Sequence, residues 1–108
     1  MKVNRKELMK VLDDVRPGLA SRETVEQSNC FVFLDGFAFT YNDDIALSVP
    51  LPDSLSSLAG AVKAEELLAL LSKCDDEVLE VVLDKGEFSI KGRRIRAGIK
   101  LDAQVTMP

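Results

Sequence analysis

The sequence predicts an α+β fold in which one unit is used twice: an amphipathic helix followed by a meander of short strands, with the two helices packed side by side on antiparallel sheet. Three observations carry this. A stripe of apolar residues at helical spacing gives way to short runs that alternate apolar and small or polar residues. The same order returns in the second half of the 108 residues, so the repeats run about 1–50 and 59–103 of a single domain, 1–108. Successive strands are joined by short turns, which pair neighbours antiparallel because parallel strands need a long crossover.

The first helix spans Lys6 to Val15, with Leu8, Val11, Leu12, Val15 and Leu19 on one stripe and Lys6, Lys10, Asp13 and Asp14 on the other side. Pro17-Gly18 ends it, since proline disfavours helix at the residue before it and glycine suits a helix exit. A polar loop, Ser21 to Asn29, leads to strands at Cys30–Leu34, Phe37–Tyr41 and Ile45–Val49. In the second of these Phe37, Phe39 and Tyr41 occupy alternate places, with Ala38 and Thr40 facing the other way. Asp35-Gly36 and Asn42-Asp43-Asp44 supply the turns, being residues that tolerate left-handed geometry. Pro50 to Ser57 links the copies. The second helix, Lys63 to Lys73, has Ala64, Leu67, Leu68 and Leu71 as its stripe and Glu65 and Glu66 in its first turn, where acids are favourable. Strands at Val78–Leu83, Glu87–Lys91 and Ile95–Leu101 complete the copy, turned at Lys85-Gly86 and Lys91-Gly92-Arg93. The first helix–strand loop is longer than its counterpart at Asp75-Asp76, so the repeat reads as one of order and not of constant spacing.

Hydrophobic content of 46% and charged content of 30% are those of an ordinary globular protein. No apolar run approaches the roughly 20 residues needed to cross a bilayer, and no hydrophobic signal region opens the chain, so the expected home is cytoplasmic, with no membrane partner. Cys30 and Cys74 are too few for a disulfide framework and read as reduced core thiols. The net charge of −4 argues against nucleic acid at first sight. Its distribution is less simple, because residues 91–100 hold Lys91, Arg93, Arg94, Arg96 and Lys100 with no acid. Local fields decide binding.

Catalytic machinery is hard to find. The chain has no histidine, which removes the usual base for a nucleophile and the commonest metal ligand. The acidic clusters Asp13-Asp14, Asn42-Asp43-Asp44 and Asp75-Asp76-Glu77 sit on a helix face or at turns, where solvated acids are ordinary. The six glycines are scattered singly, so no phosphate-cradling loop exists. The expectation is a non-enzyme with no catalytic residues, cofactor or metal.

The stretch Met1-Lys2-Val3 into Leu8…Lys10…Leu12…Val15, then Pro17-Gly18-Leu19…Ser21-Arg22, resembles the opening of the bacterial DNA sliding clamp, the beta subunit of DNA polymerase III. Val62-Lys63-Ala64 into a Leu-rich helix, then Phe88-Ser89-Ile90-Lys91-Gly92-Arg93-Arg94-Ile95-Arg96-Ala97, resembles the second half of the same clamp domain. The resemblance implies a DNA-clamp-like domain of a ring that acts as a polymerase processivity factor. Helices line the hole, sheets form the outer wall, and duplex DNA passes through without sequence readout. It implies phosphate contacts by Arg22 and Lys10, with Lys6 one turn before Lys10, and with Lys63 and Lys73 flanking the second helix. The implied partners are duplex DNA, further clamp domains or further copies, and, through the complete protein, DNA polymerase and clamp loader. By the same pattern Arg94, Arg96 and Lys100 belong to the outer wall, away from DNA.

A clamp subunit of this kind has three such domains and this chain holds one, so it reads as the first domain of a longer chain, with Ala103–Pro108 as a linker. Glu65-Glu66 is a poor start for a DNA-facing helix. The competing reading is a clamp-fold protein-interaction module or regulator without direct DNA binding, docking through a strand edge or the Pro50–Ser57 link.

Overall fold

The computed structural model describes residues 1–21, 23 and 25–105. In chain order the elements are β1 (Lys2–Asn4), α1 (Arg5–Val15), β2 (Cys30–Leu34), β3 (Phe37–Tyr41), β4 (Ala46–Pro50), β5 (Gly60–Lys63), α2 (Ala64–Ser72), β6 (Val78–Asp84), β7 (Glu87–Lys91) and β8 (Arg96–Asp102). Short 3-10 turns follow α1 at Arg16–Gly18 and β4 at Asp53–Leu55. The strands form one antiparallel eight-stranded sheet in the order β1-β6-β7-β8-β5-β2-β3-β4.

Two of these strands escape the sequence pattern. β1 and β5 are three and four residues long, too short to show an alternation. They tie the halves together. β1 crosses to β6, with Val3 opposite Leu79, while β5 pairs with β2, with Val62 opposite Phe31. Each half thus lends its first strand to the other's meander. Val62 also faces Leu101 of β8, which closes the seam between the two.

Within the meanders the repeat also keeps a constant spacing, which refines the sequence reading of a repeat of order. Val32 faces Phe39 and Val82 faces Ser89; Phe39 faces Ser48 and Ser89 faces Gly98. Every such pair is displaced by fifty residues. Asp35-Gly36 and Lys85-Gly86 make the same two-residue turn with φ of 53° and 81°, and 48° and 79°, the geometry that joins right-twisted strands. The Asn42 N–H donates to the Ile45 carbonyl at 2.9 Å, and the Gly92 N–H to the Ile95 carbonyl at 2.8 Å. The helix N-caps, Asn4 and Lys63, are fifty-nine apart, so the unequal spacing lies between helix and meander.

Both helices bury their stripes in one core. Leu8, Leu12 and Val15 of α1 and Leu67, Leu70 and Leu71 of α2 share it with Phe31, Phe33, Phe88 and Ile90, so the helices lie on the same face of the sheet. Asn4 starts α1 by accepting the Lys6 and Glu7 N–H groups at 2.9 and 3.2 Å, a side-chain cap typically worth about 1 kcal/mol. At the other end the buried Thr40 hydroxyl donates to the Val15 carbonyl, and Asn42 Nδ2 donates to the Gly18 carbonyl at 3.2 Å. β3 keeps its period of two, but Ala38 and Thr40 are the residues beneath α1. Phe39 and Tyr41 take the opposite face, in a second cluster with Cys30, Val32 and Ala61. A helix approaching a sheet closely needs small side chains below it, and that choice sends the aromatics outward.

Candidate nucleic-acid interface

The solvent side of α1 carries Lys6 and Lys10, both exposed and one turn apart. Lys10 Nζ is 3.2 Å from Asp14 Oδ2, and Arg16 sits 3.9 Å from Asp13. At such exposure each pair contributes at most a few tenths of a kcal/mol, so a phosphate could displace either acid at small cost. Lys6, Lys63 and Lys73 have no ion-pair partner among the described residues.

Lys63 and Lys73 stand at opposite ends of α2, about 15 Å apart at the rise of an α-helix. Lys73 complements the carbonyl end of α2. Lys63 occupies the N-cap position without a side-chain cap bond, and the exposed Glu65 and Glu66 answer the free N–H groups of the first turn. A shallow groove of about 400 Å³ brings Lys63 together with Arg16, Ser21, Asn29 and Glu66. Arg16 escaped the sequence reading; its signal was a place just past the helix end, on the side of the Ser21–Asn29 loop. Arg22, the other predicted phosphate contact, lies outside the described residues.

The loop ahead of β2 is anchored rather than loose where it is described. Buried Gln27 donates from Nε2 to Asp102 Oδ2 at 2.9 Å and to the Gln104 carbonyl at 2.8 Å, and its N–H donates to Glu23 Oε2 at 2.8 Å. The Tyr41 hydroxyl donates to the Glu26 carbonyl. Cys30 lies beside this lock, and burial raises its thiol pKa while the nearby Lys63 charge partly offsets the shift. Burial likewise raises Cys74, with Asp76 adding to it.

The basic strand behaves as its period requires. Ile95, Ala97 and Ile99 pack against the core, Leu101 is buried, and Arg94, Arg96 and Lys100 are exposed. Lys91 and Arg96 face each other across β7 and β8, next to Glu80 and Lys2 in the same transverse row. These residues lie on the sheet surface opposite the helices. Among the described residues, no three acids or thiols converge to hold a metal ion, and no helix is long and apolar enough to cross a membrane.

No model of a known protein family matches this sequence, and comparison with curated proteins finds no match. Comparison of folds does. The beta subunit of DNA polymerase from Streptococcus pyogenes superposes with a TM-score of 0.79 at 13% identity, over 94% of this chain and 29% of that one. The DNA polymerase III subunit beta sliding clamp of Bartonella birtlesii gives 0.73 at 20% identity, over 100% and 32%. The Helicobacter pylori beta clamp, solved with a DNA ligase peptide, gives 0.74 at 14%, over 94% and 30%. The chain therefore spans about a third of the length of the structures it matches. At these identities the shared property is the fold: this chain has the fold of a DNA polymerase III beta sliding-clamp domain.

Proposed function

We propose that the chain is one segment of a DNA-encircling processivity ring, holding duplex DNA without reading its sequence and helping to tether replication proteins. The observation that carries this reading is the placement of both helices on one face of a continuous sheet, in a chain that matches a clamp domain from end to end. In this reading the strand exchange and the fifty-residue repeat relate two similar halves, the helices lie side by side toward the hole, and the sheet is the outer wall. Residues 1–108 form the first of several such domains, and the ring is completed by further domains or further copies. Lys6 and Lys10 on α1, Lys63 and Lys73 at the ends of α2, and Arg22 touch phosphate. Weak contacts suit a ring, because topology holds the DNA and the cations only need to keep it centred while it slides. Chemistry is not part of the role. Polymerase and clamp loader engage the assembled protein.

The second reading, a clamp-fold interaction module without a DNA role, draws on two details: Lys10 is already matched by Asp14, and α2 begins with exposed Glu65 and Glu66. Assembled protein on nicked circular plasmid separates the two. A ring stays on the circle and falls off when the plasmid is cut, and Lys6→Glu with Lys10→Glu shortens its residence. Equal retention before and after cutting, or none on either, rejects the ring.

A further inference from the structure

The fifty-residue repeat lets the outer faces of the two meanders be compared place by place. On the second, the outward positions hold Asp84, Glu87, Ser89, Lys91, Arg96 and Lys100. The positions fifty earlier hold Leu34, Phe37, Phe39, Tyr41, Ala46 and Pro50. One half of the outer face is polar, as a sheet surface against water is. Its twin is apolar. Val25 and Val105 pack over the Cys30, Val32 and Tyr41 part of this twin. Beyond them Leu34 and Phe39 are half-buried and Phe37 is 41% exposed, with the Phe37 and Phe39 ring centroids 6.1 Å apart.

The charge around this patch has one sign. Between Arg22 and Lys63 the chain has no Lys or Arg, while it holds Glu23, Glu26, Asp35, Asp43, Asp44 and Asp53, all exposed. Asp35 sits in the turn between Leu34 and Phe37, Asp53 follows Pro50, and Asp43 and Asp44 follow Tyr41. Glu26 stands beside Tyr41, whose hydroxyl donates to its carbonyl. None of these acids has an ion-pair partner among the described residues. Such a rim repels a second copy of the same face, an anionic lipid surface and nucleic acid alike, and it attracts cations. Three strands are about 10 Å across, the width of one helix.

We infer that this outer half-face docks an amphipathic helix of a partner protein, apolar along one stripe and bearing Lys or Arg on both flanks. The stripe covers Leu34, Phe37 and Phe39, much as α1 and α2 cover the other side of the sheet, and the flanking cations meet the acidic rim. The site uses the face of the sheet and neither of its edges, so it stays open when further domains or copies complete the ring. This goes beyond the ring reading and does not depend on DNA.

The test is fluorescence anisotropy of the 108-residue protein with a labelled helical peptide, Leu along one stripe and Lys on both flanks, against the same peptide with Glu for Lys. The Lys peptide binds at least about tenfold tighter, and the margin shrinks with salt. Phe37→Glu with Phe39→Ser installs the residues that the repeat places at 87 and 89, and lowers that affinity at least about tenfold. The added carboxylate by charge alone favours the Lys peptide, so the loss reads the apolar contact. Should the double variant perturb folding, Phe37→Ser, at an exposed position, supplies the same loss. Equal affinity for both peptides, or binding unchanged by these variants, overturns the inference. So does self-association that Phe37→Ser abolishes, because a second copy then covers the face.

Discussion

Phe33 and Phe88 stack at the centre of the molecule, ring centroids 6.2 Å apart and planes within 14°. Phe33 belongs to β2 and Phe88 to β7, so the contact joins the two meanders through their side chains, in addition to the backbone pairing at the β5–β8 seam. Both rings are fully buried. Phe88→Ala should cost about 3–5 kcal/mol, the range for an aromatic deleted from a packed core. A cycle of Phe33→Leu and Phe88→Leu should show a coupling of about 0.5–1.5 kcal/mol by urea denaturation. Additive costs would mean that the two rings contribute independently and that the halves are held by strand pairing and the shared aliphatic core.

The end of α1 depends on one hydroxyl. Thr40 donates to the Val15 carbonyl from a fully buried position, and a Cβ on Gly18 would run into that same hydroxyl. Thr40→Val keeps the shape of the side chain and leaves the carbonyl unpaired, a loss of about 1–3 kcal/mol. Thr40→Ser retains the donor and should lose less. Chemical denaturation of the two variants side by side tests this, and an equal loss would assign the cost to the missing methyl group instead.

How much of this was legible beforehand follows from run length. The stripes of α1 and α2 and the alternation of β7 and β8 are long enough to set a period, and each element appears, although α2 buries Leu70 where the stripe had placed Leu68. β1 and β5 are not, and the strand exchange they perform was therefore invisible. The face assignment in β3 was equally hidden: the pattern separates Phe37, Phe39 and Tyr41 from Ala38 and Thr40, but only the closeness of α1 decides which set goes under the helix. That Lys6 and Lys10 share the solvent side of α1 follows from helical spacing, while a phosphate role for them rests on the family resemblance alone. Arg16 required knowing that the chain past α1 turns toward Lys63, which no local pattern encodes.

The glycines at the seam and on the outer face predict opposite outcomes. Gly60 has φ of +131°, and a Cβ there would meet Leu101 Cδ1 at 2.6 Å and the Asp102 carbonyl oxygen at 3.0 Å. Strain and crowding against backbone act together, so Gly60→Ala should destabilise by about 2 kcal/mol or more and loosen the β5–β8 contact. A Cβ on Gly98 would instead meet the exposed Glu87 side chain, which accepts a 2.8 Å bond from the half-buried Ser89 hydroxyl. Glu87 can swing away, so Gly98→Ala should stay within about 0.5 kcal/mol. Thermal unfolding of both variants checks the contrast, and a larger loss at Gly98 would show that the outer-face carboxylate is fixed more firmly than that bond suggests.

The two thiols make stability fall on the alkaline side. Burial raises the pKa of Cys30 and of Cys74 above the ordinary thiol value, with Asp76 adding to the second. The folded protein therefore keeps protons on its thiols at a pH where the unfolded chain has begun to release them. Their contribution is whole below the unfolded thiol pKa and is lost as pH rises through the folded value, since in that window the unfolded state binds fewer protons. Urea midpoints measured across this alkaline range should decline more steeply in the native sequence than in a Cys30→Ala, Cys74→Ala variant, whose lower overall stability does not affect the comparison of slopes. Alkylation by iodoacetamide should agree, proceeding more than about tenfold faster in the urea-unfolded chain than in the folded one, because the thiolate is the reacting species and folding suppresses it. Parallel slopes for the two proteins would show that neither thiol feels the interior when it ionises.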